Sequence, residues 1–243
     1  MPKSLSRQNS AQKIKILCVA ALFCALAIVV TLVMHVKVMF LTFDAKDAVI
    51  TIAGLLFGPA YSISISLVVS LIEFISIGET GFWGLLMDFL STAIFSTTCA
   101  LIYKYKKNIK GAVIGLVASI IAMTAFMLLF NLFIVPIYTP NYTTETVAKM
   151  VPTLFLPFNL TKATLNAAFV LILYKPVSNA MKTARILPSN KATQNAESTL
   201  SPEQRKKNNL LFSIAVMVAG AVVAALCFVV FFVFLNGTIS FGK

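Results

Sequence analysis

Long apolar runs, separated by short polar punctuation, dominate the chain. Nearly uncharged stretches run from Ile16 to Met34, Ala48 to Phe57, Ala60 to Ser76, Phe82 to Tyr103, Ala112 to Tyr138, Val151 to Tyr174 and Leu210 to Leu235. Most approach or exceed the roughly 20 residues that cross a bilayer as helix. The pattern predicts an all-α polytopic membrane protein with seven spans. The second is about half of normal length and is expected to cross obliquely or pack deep in the bundle. Phe57-Gly58-Pro59 separates it from the third by a turn signal, so these two form a tight hairpin. Residues 188–209 are rich in Ser, Asn, Gln and Lys without an apolar period, which reads as a linker. The organisation is therefore an N-terminal segment at 1–15, a six-helix membrane domain at 16–187, the linker, an additional helix at 210–235 and a tail at 236–243.

Charge orients these spans. The net charge is +12, yet the basic residues cluster between spans rather than among aromatics: Lys3, Arg7, Lys13 and Lys15, then Lys104, Lys106, Lys107 and Lys110, then Lys175 through Lys207. By the positive-inside rule all three segments are cytoplasmic, and nucleic-acid binding is not indicated. Seven crossings then place the amino terminus inside and the carboxyl terminus outside, with loops near 35–47, 77–81 and 139–150 facing outward. The first span is long and lacks a small-residue cleavage site, so it is expected to remain in the membrane. Cys18, Cys24, Cys99 and Cys227 all lie within apolar spans without metal-ligand spacing, and read as small buried hydrophobes.

The polar residues inside the spans carry the chemistry. Lys162 sits within Pro157-Phe158-Asn159-Leu160-Thr161-Lys162, where a lysine at a helix centre costs roughly 2.5–3.5 kcal/mol and calls for a partner. Asn159, Lys162 and Asn166 are spaced three and four apart, on one helical face. Pro157 removes a backbone donor, frees a carbonyl near Thr153 and bends the helix. Asn131 on the fifth span lies at comparable depth, before Pro136. Glu73 and Asp88 are embedded in the third and fourth spans, and either is expected to neutralise Lys162 if the charges serve to lock helices together. The alternative is a polar pocket for a small solute, which accounts better for the surrounding amides because they too require partners in a dry interior. In Leu41-Thr42-Phe43-Asp44-Ala45-Lys46-Asp47, Asp47 reads as a helix N-cap. Thr42 and Asp44, with Met39, Phe40 and Phe43, read as a loop covering an outward-facing pocket. Trp83 with Phe82 marks the membrane interface on that side, and His35 reads as interfacial. No serine–histidine pair or His-Glu-x-x-His cluster points to an intramembrane enzyme.

The order of these motifs resembles the substrate-binding S components of energy-coupling factor (ECF) vitamin transporters, most closely the riboflavin-type members. The likeness spans the first six helices. It rests on Ala21-Leu22-Phe23-Cys24-Ala25, Leu41 through Asp47, Phe57-Gly58-Pro59, Asn131 before a proline, and above all Pro157 through Lys162. The resemblance implies a six-helix S-component bundle, here with an extra C-terminal transmembrane helix, in a bacterial cell membrane. It implies substrate capture beneath the loop between the first two helices, and partnership with an EcfT-type coupling protein and two ATP-binding subunits. The chain itself has no Gly-rich phosphate loop, so it is expected to bind without hydrolysing ATP. By position, Asn131, Asn159 and Lys162 match the residues that hold a flavin ring, and Thr42, Phe43, Asp44 and Ala45 match the covering loop, with Leu41 beside them in the candidate substrate-binding set. Ala21 and Ala25 match the face that meets the coupling protein. Asn166, Glu73 and Asp88 complete the candidate substrate-binding set. Riboflavin or FMN is the expected transported ligand, and no cofactor is expected.

Glu73 and Asp88 depart from the riboflavin-type pattern, and the seventh span has no counterpart in the basic fold. The acids leave open another vitamin, such as pyridoxine or pantothenate, with Lys162 pairing to a carboxylate or phosphate. They also leave open a solitary proton-coupled carrier that uses both as relays.

Overall fold

The computed structural model describes residues 3–34, 36–38, 41–77, 81–139, 141–184, 186, 214–215, 217–227, 229 and 238–239. The expected linker at 188–209 therefore lies outside the described residues, as do His35, Met39, Phe40 and most of the tail. Helices α1 (Lys3–Val33), α2 (Lys46–Phe57), α3 (Pro59–Ile77), α4 (Gly81–Tyr105), α5 (Ile109–Tyr138), α6 (Thr144–Met150) and α7 (Leu156–Thr183) follow one another. A further apolar helix, α8, is described over Met217–Cys227. Five helical segments are long and apolar enough to cross a membrane: Lys13–Val33, Pro59–Ser76, Gly81–Tyr105, Lys110–Ile137 and Thr144–Thr183. The protein is a multi-pass membrane protein.

The short second element resolves the choice left by its length. All ten residues from Lys46 to Leu55 are buried, so α2 packs inside the bundle, against α1, α3, α4 and α7. Its hairpin with α3 is as tight as the turn signal predicts. Gly58 adopts φ 107°, a left-handed angle that a β-carbon would strain, and its N–H closes on the Gly54 carbonyl. A β-carbon at Gly54 would lie 1.9 Å from Ser62 Oγ, so only glycine lets α2 and α3 approach here.

Helix α1 turns Ala20, Phe23, Ala27 and Thr31 inward at spacings of three and four, while Ala21 and Ala25 lie on the exposed side. The sixth span is longer than its hydropathy indicates. Helix α6, capped by the Thr143 hydroxyl, runs through a π-helical turn at Val151–Phe155 into α7. The widened turn is where Pro157 prevents ordinary i→i+4 pairing, and the Leu156 N–H reaches instead to the Val151 carbonyl.

The α1–α2 connection holds short strands rather than an unstructured loop. Strand β1 (Val36–Val38) pairs antiparallel with β2 (Leu41–Phe43), with Val36 opposite Phe43 and Val38 opposite Leu41. A third strand, β3 (Thr238–Ile239), pairs with the other edge of β1, giving the order β2-β1-β3. The carboxyl-terminal strand thus sits at the same end of the bundle as the α1–α2 connection, consistent with an odd number of crossings. Helix α8 packs on α7 through Gly220, whose β-carbon would stand 3.0 Å from Ile172 Cγ1 and 3.2 Å from the Ala168 carbonyl oxygen. Ala224, one turn further on, is buried in the cluster that contains Phe43, Leu154, Phe158, Leu165 and Ala168.

Candidate binding site

Strand β2 delivers Leu41, Thr42 and Phe43 to the amino-terminal end of α7, and the chain then turns through Asp44 and Ala45 into α2. Phe43, Asp44 and Ala45 are buried, whereas Leu41 and Thr42 are half-buried. The turn is held from α7. Asn166 Nδ2 donates to the Asp44 carbonyl and to the Lys162 carbonyl, both at 3.1 Å, and its Oδ1 accepts the Ala48 N–H at 3.0 Å. These three bonds use both amide hydrogens and one lone pair of the oxygen. Asn166 shares the face of Lys162, as its spacing requires, but its hydrogen-bonding capacity is used to fix the start of α2 to α7.

Lys162 lies one turn before Asn166, only 5% exposed. Its ammonium donates to Asp44 Oδ2 at 3.1 Å and stands 3.5 Å from the Thr42 carbonyl. This corrects the expected ion partner: Asp44 neutralises Lys162, and Glu73 and Asp88 do not bond to it. Those two acids converge on Lys46, a residue to which the sequence reading assigned no role. Lys46 Nζ is ion-paired with Glu73 Oε2 and with Asp88 Oδ1, the latter at 2.7 Å, and lies 3.9 Å from Asp44 Oδ2. Ser70 donates to the other Asp88 oxygen at 2.7 Å. Asp44 therefore stands between two buried lysines, with α3 and α4 contributing the acids behind Lys46. The missed signal was two unmatched membrane acids on adjacent spans and a lysine opening the apolar helix between them and α1.

Asp47 also needs correction. Helix α2 starts at Lys46 with Ala45 at the cap position and no side-chain cap bond. Asp47 lies inside the first turn, fully buried, where its Oδ1 accepts from Thr92 Oγ1 at 2.6 Å. Asp44 plays the local part expected of Asp47, since its Oδ1 accepts the Lys46 N–H at 3.3 Å in an Asx-type turn.

Asn159 and Asn131 complete the polar set. Asn159, one turn before Lys162, is buried and donates to the Phe155 carbonyl at 2.8 Å, within the widened turn. Asn131 on α5 is fully buried and donates back to the Met127 carbonyl at 2.6 Å, leaving its Oδ1 without a hydrogen-bond partner. A dry orphan acceptor of this kind costs about 1–3 kcal/mol, so it marks a place where a donor is wanted. The polar groups are thus one buried ammonium held against the Thr42–Asp44 segment and, on α5, one amide oxygen without a partner. Among the described residues, no group of three or more His, Cys, Asp or Glu is placed to hold a metal ion.

Residues 15–177 match the family described as ECF transporter, substrate-specific component. The chain is 28% identical over 149 residues to the riboflavin transporter RibU of Staphylococcus aureus (strain TCH60), covering 59% of this chain and 78% of that one. It also superposes on a solved S component of a bacterial ECF transporter with a TM-score of 0.58 and 27% identity. That likeness covers 72% of this chain and 99% of the solved one. Helix α8 and β3 lie beyond the matched family region.

Proposed function

The chain belongs to the family of ECF-transporter substrate-specific components, and from that premise we propose that it captures riboflavin (or FMN) at the outer membrane surface of a bacterial cell. The observation that carries the reading is the position of Lys162. Its buried ammonium reaches the underside of the Thr42–Asp44 segment, on the helix that carries Asn159. A flavin ring suits such a site because its carbonyls accept from an ammonium, its ring N–H can donate to the free Asn131 oxygen, and its apolar edge needs dry walls. Asp44 already balances the charge on Lys162, so a neutral ring carbonyl is favoured over the carboxylate of a pantothenate-like ligand.

In this reading the amino terminus is cytoplasmic, and the β-hairpin and β3 are extracellular. The exposed Ala21 and Ala25 of α1 offer a small-residue surface for an EcfT-type coupling protein, with two ATP-binding subunits completing the transporter. The chain contributes binding and the partners contribute ATP hydrolysis. The engagement of Glu73 and Asp88 with Lys46 weighs against their serving as relays in a solitary proton-coupled carrier.

Purification in mild detergent, with mass spectrometry of released small molecules and titration of flavin fluorescence, tests the proposal. Bound, quenched riboflavin is expected, and Lys162→Ala and Asn131→Ala should each weaken it at least tenfold. Tight binding unaffected by both substitutions would refute the site. Uptake in a host lacking coupling protein and ATPases, abolished by an uncoupler, would instead support the solitary carrier.

A further inference from the structure

The chain beyond the family-matched region is built onto both walls of the candidate site. On one side, α8 lies against α7 at the helix surface just below Asn166, where Gly220 permits contact with Ala168 and Ile172 that any side chain would crowd. Ala224 then joins the buried cluster that holds Phe43 of the covering hairpin and Leu165 of α7. On the other side, β3 pairs with β1, setting Ile239 opposite Val36 and Thr238 opposite Lys37. A two-stranded hairpin alone is marginal in water, and a third strand or a packed face is what stabilises it. Here the C-terminal extension supplies both.

We propose that this extension retains ligand: α8 backs the wall that carries Lys162, and β3 ties down the hairpin that covers it, so that the hairpin lifts only when β3 is released. Gly220, Ala224, Thr238 and Ile239 are positioning residues in this scheme, acting through β1, β2 and α7 rather than touching the ligand. The mechanical tie stands on the strand pairing and helix packing alone. The effect on retention rests on the binding reading above. The outward stripe Ile214, Val218, Val222, Leu226 and Val229 is exposed and apolar, as a lipid-facing surface should be, so the inner face of α8 is the one committed to the fold.

Two measurements on the full chain in nanodiscs separate these parts. Hydrogen exchange of the Val36–Val38 amides, without ligand, reads the tie in wild type, Ile239→Pro and Gly220→Leu. Stopped-flow release of riboflavin reads retention in the same three proteins, with burial of Cys99 as the check on global folding. Faster exchange at 36–38 in Ile239→Pro is expected, together with riboflavin release faster by on the order of tenfold, about what one net backbone hydrogen bond supplies. Association should quicken as well, since the tie also closes the ligand-free protein and ligand enters past the same hairpin. Gly220→Leu should also speed release. Unchanged exchange in Ile239→Pro overturns the tie. Faster exchange with unchanged release overturns the retention role. Wild-type protein that takes up no flavin overturns the binding reading, while the exchange result still decides the tie.

Discussion

Replacing Lys46 by methionine should damage this protein more than the same change at Lys162, although Lys162 is the residue assigned to ligand. The structure supplies the comparison. Lys46 is 1% exposed and faces Asp88 at 2.7 Å, Glu73 in direct contact and Asp44 at 3.9 Å. At an effective dielectric of about 20, the Asp88 contact alone has a gross Coulomb energy of about 6 kcal/mol, and the Asp44 contact about 4. Desolvation of both partners cancels much of this. Removing one side of a buried pair nonetheless costs about 3–5 kcal/mol, because the remaining charges stay buried and uncompensated. Lys46→Met leaves two acids without their counter-ion, Glu73 and Asp88, whose side chains are 12% and 25% exposed, so a cost at the lower end of that range is expected. Lys162→Met strands only Asp44, which keeps Lys46 nearby, so a cost of about 1–2 kcal/mol is expected. Thermal unfolding in detergent, followed by a thiol-reactive dye that reports exposure of the fully buried Cys99, measures the difference. At roughly 2–4 °C per kcal/mol for a chain of this size, Lys46→Met should lower the midpoint by roughly 10 °C. The triple variant Lys46→Met, Glu73→Gln, Asp88→Asn should recover most of the loss, since it removes the stranded charges along with their partner. A Lys46→Met midpoint within about 2 °C of wild type, or a triple variant no better than the single one, refutes the reasoning.

Three further outcomes follow from the same geometry. Asn166→Ala removes three hydrogen bonds and orphans the buried Ala48 N–H, so a loss of about 2–3 kcal/mol and weaker riboflavin binding through a displaced Asp44 turn are expected in melting and fluorescence titration. Gly54→Val places a side chain against Ser62 and should destabilise the α2–α3 hairpin by more than about 3 kcal/mol, read as lost expression of folded protein on size-exclusion chromatography. Tyr103→Phe removes a 2.7 Å hydroxyl contact with Tyr174 at the end of the bundle remote from the hairpin, and should cost only about 1 kcal/mol in the melt while leaving flavin affinity unchanged.

Much of the architecture was legible because a bilayer makes hydropathy nearly sufficient. Apolar runs of span length must become helices that satisfy their own backbone, so the five long spans followed directly. The Phe57-Gly58-Pro59 turn was equally legible, since the positive φ at Gly58 is a local demand. The face shared by Asn159, Lys162 and Asn166 came from helical spacing alone. Spacing does not say which neighbour faces a side chain, and there the reading went astray. The residues favour a solute pocket at Lys162, with pairing to Glu73 or Asp88 as the alternative; that alternative fails because α2 inserts between them and brings Lys46 to those acids and Asp44 to Lys162. Asp47 was read as a cap from its position before an apolar run. The helix begins two residues earlier than that, at Lys46, and the Asp47 side chain is drawn to Thr92 across the bundle.

The sequence by itself determined that this is a membrane-embedded helical bundle with a polar face on its last long span, because the cost of unsatisfied backbone and stray charge in lipid leaves few other solutions. Only the tertiary structure decided how the charges pair and what Asn166 does with its amide. It also decided that the carboxyl terminus returns to the hairpin through β3. Each of these depends on residues far apart in the chain meeting in three dimensions, and a local pattern carries no information about that distance.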